Sequence, residues 1–252
     1  LPMTPIQAAL LGILQGLTEF LPVSSSGHLV LAQSLIPNFS QPGVLFDVVL
    51  HAGTLVAVIW YFRKMIFSLN KKMLGLLLLG TLPAATVGVL FQSQIEFLFS
   101  NPKLVALALI LTGVMNWLVD SKNNRQQTTK AVGWSQALVV GIFQAVALVP
   151  GISRSGSTIF AGVVQGVKKE EAATFSFLLS VPAVLGAVGL QFLAYGSRNS
   201  VETANYLVGF LAAAFVGYLT IGFLMRMLRA RRFKVFAIYC FVLGLTALLT
   251  SG

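Results

Sequence analysis

Charged residues are scarce in this sequence, and the shortage excludes an ordinary soluble domain. Only 10% of the 252 residues are charged, whereas 56% are hydrophobic, and the mean hydropathy is +0.86. Soluble domains carry about 25% charged residues. The composition therefore predicts an integral membrane protein.

Cysteine and acidic residues are also scarce. The single cysteine, Cys240, lies in an apolar run, which excludes a disulfide framework and a cluster of cysteine metal ligands. Of the seven acidic residues, only Glu19 and Asp47 lie within apolar segments. An ionisable residue at membrane depth is by default a candidate for function.

Six apolar runs are long enough to cross a membrane, and two further apolar regions are interrupted. The six runs are residues 44–62, 74–91, 103–119, 172–195, 204–225 and 234–250. Regions 5–35 and 134–166 are broken in the middle by a turn rich in Pro, Gly and Ser, and we interpret each as a re-entrant helical hairpin. The predicted fold is thus an all-α integral membrane protein with six transmembrane helices and two re-entrant hairpins, forming a single membrane domain over residues 1–252.

The distribution of cations predicts the orientation of this fold. With re-entrant hairpins, fourteen of the 17 Lys and Arg residues fall on one side and two on the other, and the remaining one is Arg154. The side rich in cations, with loops 63–73, 120–133, 167–171 and 226–234, is predicted to be cytoplasmic. The net charge of +10 therefore reflects membrane topology, and we predict no nucleic-acid partner.

The two interrupted regions are copies of each other. A shift of 129 positions aligns them without a gap and produces eight identities between residues 7 and 27. The sequence therefore predicts internal repeats of approximately residues 1–119 and 130–250. Each half has three spans and one hairpin, so the halves are predicted to be inverted, as in many transporters.

The turns of the two hairpins are predicted to meet and to bind an anion. Each turn leads into an apolar helical segment, and the N-terminus of a helix binds anions. Arg154, in the second turn, adds a planar guanidinium suited to phosphate. The predicted phosphate-binding residues are Ser24, Ser26, Gly27, Gly151, Ser153, Ser155, Gly156 and Thr158. A site of this kind fits a diphosphate.

The first turn also holds the residues for chemistry, with alternatives left open. Ser25 could be a nucleophile with His28 or Glu19 as its base. Glu19 could instead hold a divalent cation, with Gln15 beside it on the same helix face, or activate a water.

Each of these residues also has a purely structural interpretation. The serines could serve close helix packing, and Glu19 with Arg154 could form a structural salt bridge. Gln15 and its counterpart Gln144 could form hydrogen bonds between helices. Asp47 and His51 share a helix face, either as support for the site or as polar helix contacts.

Four motifs resemble those of the undecaprenyl-diphosphate phosphatase family, also called bacitracin-resistance proteins. They are QGLTEFLPVSSSGH at residues 15–28, FDVVLHAGT at 46–54, PGISRSGST at 150–158 and EAATFSFLLSVP at 171–182. The resemblance covers essentially the whole chain. It implies removal of the terminal phosphate from undecaprenyl diphosphate, which recycles the carrier lipid for peptidoglycan synthesis. It also implies a multi-pass protein of the bacterial inner membrane whose site opens to the extracytoplasmic side.

The resemblance implies roles for single residues too. Ser25 would be the nucleophile, Glu19 and His28 the acid/base or metal partners, and Arg154 the phosphate clamp, with a requirement for Mg²⁺ or Ca²⁺. Where the family has Glu or Gln, this chain has Gln15, which leaves one acidic ligand where some members of the family have two.

Other classes remain to be distinguished. Type-2 phosphatidic acid phosphatases also use Ser-Gly-His and Ser-Arg, but they need another histidine after the arginine. This chain has only His28 and His51, and none follows Arg154, which excludes that class. A lipid or anion transporter, or a combination of hydrolysis and lipid movement, fits the inverted repeats. A homodimer is left open.

Overall fold

The computed structural model describes residues 3–37, 39–41, 44–121, 131–195, 203–229 and 233–250, and all regular secondary structure within these ranges is helical. The helices are α1 (Pro5–Thr18), α2 (Ser25–Ser34), α3 (Leu45–Tyr61), α4 (Arg63–Phe67), α5 (Lys71–Leu90), α6 (Gln92–Leu98), α7 (Pro102–Ser121), α8 (Trp134–Val146), α9 (Arg154–Val164), α10 (Lys169–Tyr195), α11 (Thr203–Arg229) and α12 (Lys234–Thr250). The prediction of an all-α protein is confirmed for the described ranges.

Within the described ranges, four helices are long and apolar enough to cross a membrane, which makes this a multi-pass membrane protein. They correspond to α5, α7, α10 and α11 and coincide with four of the six predicted spans. The other two predicted spans coincide with α3 and α12, which have 17 apolar-rich residues each. At a rise of about 1.5 Å per residue these two helices reach roughly 25 Å. Residues 122–130 of the predicted loop 120–133 and residues 196–202 of the predicted loop 196–203 lie outside the described residues.

Each interrupted region folds as two helices separated by a turn. Helices α1 and α2 pack on each other, as do α8 and α9. The two turns close with the same cap, because Ser24 Oγ accepts from the Gly27 amide at 3.3 Å and Ser153 Oγ accepts from the Gly156 amide at 3.0 Å. The same pattern, a serine followed three residues later by a glycine, thus caps the N-terminus of α2 and, 129 positions later, that of α9.

The two turns touch each other at the centre of the bundle. A Cβ added to Gly27 would lie 3.1 Å from the Cα of Gly151. Gly151 has a φ of +94°, and a Cβ there would lie 2.4 Å from the carbonyl oxygen of Val105 on α7. Only glycine combines this backbone conformation with such a close approach. The turns therefore meet because neither carries a side chain at the point of contact.

The first helix of each hairpin packs against a long helix of the other half. Helix α1 lies along α11, and α8 lies along α5. The approach is closest at glycines, since a Cβ on Gly12 would lie 2.3 Å from the Gly209 carbonyl oxygen and one on Gly141 would lie 2.5 Å from that of Gly80. Small residues allow such backbone contact between helices in lipid.

At one end of the bundle a buried ion pair joins three helices. Lys169 Nζ lies 2.7 Å from Asp120 Oδ1, and both side chains are 7% exposed. The amide of Lys234 donates to the other carboxylate oxygen of Asp120 at 2.8 Å. The ends of α7, α10 and α12 are thereby held together.

Candidate active site

Glu19 joins the two turns through its two carboxylate oxygens. Oε2 accepts a hydrogen bond from the hydroxyl of Ser25 at 2.6 Å, and Oε1 accepts from Nη2 of Arg154 at 2.6 Å. Glu19 lies just after α1, and Ser25 and Arg154 are the first residues of α2 and α9. The structure therefore brings the carboxylate of Glu19, the hydroxyl of Ser25 and the guanidinium of Arg154 together.

Two more side chains contact Oε2 of Glu19. Gln15 Nε2 donates to Glu19 Oε2 at 3.0 Å, as expected for residues four apart on a helix. His51 Nδ1 lies 3.1 Å from Glu19 Oε2 and 2.6 Å from Gln15 Nε2. The sequence suggested His51 only as support for the site, whereas the structure puts it in direct contact with Glu19.

The arrangement suits nucleophilic attack on a phosphate. A serine hydroxyl that donates to a carboxylate has a base in place to take its proton. Arg154 uses Nη2 for Glu19 and Nη1 for the carbonyl of Ser176 at 3.1 Å. The other N–H groups of the guanidinium are left for an anion. The helix N-termini at Ser25 and Arg154 add positive potential at the same place.

His28 is placed apart from the Ser25 hydroxyl. Its Nδ1 lies 2.7 Å from the carbonyl oxygen of Ser24, and its Nε2 lies 2.7 Å from the hydroxyl of Tyr239 on α12. The side chain that accepts from the Ser25 hydroxyl is therefore that of Glu19, whereas both ring nitrogens of His28 contact other groups. Tyr239 was missed by the sequence analysis, since it lies 211 residues from His28 in a run with no other polar signal.

The predicted phosphate-binding residues divide into two groups. Ser26, next to Ser25, is half-buried, and its hydroxyl contacts that of Ser24 at 3.3 Å. In the second turn the side chains are buried and bonded to protein: Ser155 Oγ donates to the Leu21 carbonyl at 3.2 Å, and Thr158 Oγ1 donates to that of Arg154 at 2.7 Å. These hydroxyls hold the turns in position, as does the cap at Ser153.

Helix α7 fixes both turns from one side. Thr112 donates to the Gly151 carbonyl at 2.9 Å and accepts from the Ser153 amide at 3.0 Å. One helical turn further on, Asn116 donates to the Pro22 carbonyl. The sequence analysis missed both, although two polar residues four apart in an apolar helix were a usable signal.

Asp47 and Gln144 are bonded elsewhere. Asp47, at the start of α3, accepts from the side chain of Gln33 and, at 3.1 Å, from that of Gln41. Gln144 donates weakly to the Gly80 carbonyl at 3.5 Å. Both therefore contribute polar contacts between segments, which is the structural alternative considered for them above.

The oxygen atoms around Glu19 fit a cation held jointly with substrate. Within the described ranges no group of three His, Cys, Asp or Glu side chains is arranged for a metal ion. Gln15 Oε1, however, is buried without a hydrogen-bond partner there, and the nitrogen of the same amide donates to Glu19. Mg²⁺ is commonly held by one or two carboxylates together with substrate phosphates and waters. Gln15 and Glu19 match that mode and not a closed protein cage.

Comparison with known proteins shows the family of this chain. Residues 8–246 match the family described as bacitracin resistance protein BacA. A protein named undecaprenyl-diphosphatase from Syntrophotalea carbinolica is 44% identical over 257 residues, covering 96% of this chain and 97% of its own length. Proteins of the same name from Methanobrevibacter smithii and Carboxydothermus hydrogenoformans are 39% and 38% identical, each with 99% of this chain and 98% of its own length covered.

The match spans both hairpins and every site residue from Gln15 to Thr158. The resemblance seen in the four motifs is confirmed over nearly the full length. This chain belongs to the bacitracin resistance protein BacA family.

Proposed function

We propose that this protein hydrolyses undecaprenyl diphosphate to undecaprenyl phosphate and inorganic phosphate. The names of its full-length relatives support this activity. The observation that carries the proposal is the Glu19 carboxylate, which accepts from the Ser25 hydroxyl on one oxygen and from Arg154 on the other, each at 2.6 Å. The Glu19 carboxylate thus connects the proposed nucleophile, Ser25, with the proposed phosphate-binding group, Arg154.

The reaction follows from these contacts in two steps. Ser25 Oγ attacks the terminal phosphorus while its proton passes to Glu19 Oε2. The bond from that phosphorus to the bridging oxygen breaks, and its electron pair leaves with undecaprenyl phosphate. Water then attacks the phosphoserine. The proton on Glu19 returns to Ser25 Oγ, and both protons of the water stay with the released phosphate.

Charge stabilisation is the main contribution of the remaining residues. In phosphoryl transfer the charge is spread over the equatorial phosphoryl oxygens, and catalysis is mostly positioning and electrostatics. Arg154 supplies a fixed positive charge, and the amides at the start of α2 and α9 supply partial charges. A bound Mg²⁺ or Ca²⁺ on Gln15 and Glu19 would neutralise further phosphate charge.

Phosphate release by the purified protein tests the proposal. Undecaprenyl diphosphate is expected to yield inorganic phosphate, and EDTA is expected to suppress the release until Mg²⁺ or Ca²⁺ is restored. A protein that binds the lipid but releases no phosphate under any cation condition would refute the enzymatic proposal and favour lipid transport.

Glu19→Gln is expected to abolish phosphate release that depends on a divalent cation. The substitution keeps the size of the side chain but removes the negative charge that would take the proton of Ser25 and bind the cation. The measurement is turnover against cation concentration. Glu96→Gln is the matched control, because Glu96 lies on a different helix, α6; this variant should behave as wild type. Full activity with an unchanged cation response in Glu19→Gln would assign the metal role elsewhere, with Asp47 as the next carboxylate to test.

We also propose the orientation in the membrane. Six spans (α3, α5, α7, α10, α11 and α12) with the re-entrant hairpins α1–α2 and α8–α9 put loops 63–73 and 226–234 in the cytoplasm and both chain ends outside. The charge distribution supports this orientation. The site then opens to the extracytoplasmic side of the bacterial inner membrane, where the diphosphate lipid is processed.

Cysteine labelling tests this topology. In a background with Cys240 replaced by Ala, Ser40→Cys is expected to react with an impermeant maleimide added outside, and Ser68→Cys is expected to react only after the membrane is opened. Both serines are exposed in the structure, so accessibility differs only by side. Labelling of Ser40→Cys from the cytoplasm would overturn the inverted-repeat topology.

A further inference from the structure

Tyr239 on α12 reaches the turn that carries Ser25 through a chain of two short hydrogen bonds. Its hydroxyl lies 2.7 Å from Nε2 of His28, and Nδ1 of His28 lies 2.7 Å from the carbonyl oxygen of Ser24. The rings of Tyr239 and His28 are parallel to within 3°, with centroids 5.6 Å apart. Ser24 directly precedes Ser25. The contact therefore links a distant helix to the residue next to the nucleophile.

The chemistry of the acceptors assigns the hydrogens along this chain. A carbonyl oxygen can only accept, so Nδ1 of His28 carries the hydrogen that Ser24 receives. In the neutral imidazole Nε2 is then an acceptor, and the Tyr239 hydroxyl donates to it. Tyr239 thereby stabilises the tautomer that lets His28 hold the Ser24 carbonyl.

Ser24 is the residue that needs to be held. Its φ is +67°, and it is the only non-glycine residue with positive φ in the described ranges. This conformation is costly for a residue with a Cβ and persists only where the surroundings enforce it. The Ser24 carbonyl accepts from both the amide of His28, at 3.2 Å, and its ring.

The second turn is an internal control without a nucleophile. Its equivalent of Ser24 is Ser153, whose φ of −68° and ψ of 120° are ordinary extended values. Its equivalent of His28 is Ser157, which contacts the sulfur of Met115 at 3.8 Å. The same cap is thus built without strain and without the His–Tyr pair. Strain and support occur together in the turn that presents Ser25.

We propose that Tyr239 is a positioning residue for the nucleophile, acting through His28 on the backbone of Ser24. It does not touch the reacting atoms. Its loss lets the Ser24 backbone relax and moves Ser25 Oγ away from Glu19. The inference rests on the proposed phosphatase function, because positioning matters only if Ser25 reacts.

Tyr239→Phe removes the hydroxyl and keeps the ring. We expect kcat to fall about tenfold, the loss typical of one neutral hydrogen bond in a positioned site, with KM and Tm unchanged. Tyr218→Phe on α11 is the matched control, since Tyr218 is 39% exposed and Tyr239 is 45% exposed. It should retain wild-type kcat. A wild-type kcat in Tyr239→Phe, or a fall in kcat that follows a fall in Tm, would overturn the proposal.

A double-mutant cycle tests the route through His28. Asn at position 28 can still donate to the Ser24 carbonyl but is too short to reach Tyr239. Tyr239→Phe is therefore expected to cause no further loss of kcat in the His28→Asn background. An equal loss in both backgrounds would show that Tyr239 acts by another route.

Nitrogen NMR gives a readout that does not depend on phosphate release. The chain has only two histidines, so ¹⁵N-histidine labelling yields two imidazoles, and a His51→Gln sample assigns them. His28 is expected in the Nδ1–H tautomer, and its Nε2 resonance should move towards that of a free nitrogen in Tyr239→Phe but not in Tyr218→Phe. An unchanged spectrum would refute the contact. Absence of phosphate release from wild type, with this shift present, would refute the proposed function instead.

Discussion

Replacing Ser25 with alanine is expected to reduce phosphate release by more than about 10⁴-fold, as removal of a nucleophile does in other hydrolases. The variant should still bind the diphosphate lipid, because Arg154 and the amides at the start of α2 and α9 remain. Glu19 also keeps the donors of Arg154 and Gln15, so its buried carboxylate still has hydrogen-bond partners. The measurement is turnover and lipid affinity on the same purified protein.

Ser34→Ala is the control for this experiment. Ser34 lies at the exposed end of the same helix, where its hydroxyl bonds only the Leu31 carbonyl at 2.8 Å. It should match wild type in turnover and affinity. Near-normal turnover in Ser25→Ala would eliminate attack by serine and leave water, activated at Glu19, as the enzymatic route. A transporter would release no phosphate from wild type or from any variant.

Arg154→Lys is expected to lower turnover by about 10²-fold or more, equivalent to losing ~2.7 kcal/mol of transition-state stabilisation. The guanidinium bonds Glu19 and the Ser176 carbonyl at the same time, at 2.6 and 3.1 Å, and keeps further N–H groups for phosphate. An ammonium keeps the charge but cannot span two fixed acceptors and an anion. The fall should lie in kcat more than in lipid affinity.

The control for charge is Arg63→Lys. Arg63 is exposed, donates to the Trp60 carbonyl and lies over the Trp60 ring, so the substitution tests the same chemistry away from the site. If Arg154→Lys changed lipid affinity alone and left kcat intact, the guanidinium would be a binding group only.

Much of the helical plan could be predicted from the sequence. An apolar run predicts a helix in lipid, because the backbone there must form its own hydrogen bonds. This requirement applies within each segment and does not depend on its neighbours. The predicted span 204–225 therefore lies within α11, and the predicted span 74–91 overlaps α5 except for its last residue. The turns were found for a similar local reason, since Pro, Gly and Ser interrupt a helix and cap the next one.

The chemical site could be predicted only in part. Glu19, Ser25 and Arg154 were chosen because charge at membrane depth is costly and because the repeat aligns Ser25 with Arg154. The partners of these residues were not predictable in the same way. His28 was a plausible base from its position three residues after Ser25, yet its ring contacts Ser24 and Tyr239.

The features that the sequence predicts depend on interactions between residues near each other in the chain, whereas the features that only the tertiary structure decides depend on contacts between distant residues. Periodicity, capping and charge act within a few residues, so helices, turns and the shortlist of reactive groups follow from the order of amino acids. Which nitrogen or oxygen meets Glu19 depends on how α1, α3 and α9 pack, and Glu19 contacts Arg154 across 135 positions of chain. Packing settles such contacts because the free energy of burying a charge is recovered only when a distant partner arrives in the right geometry.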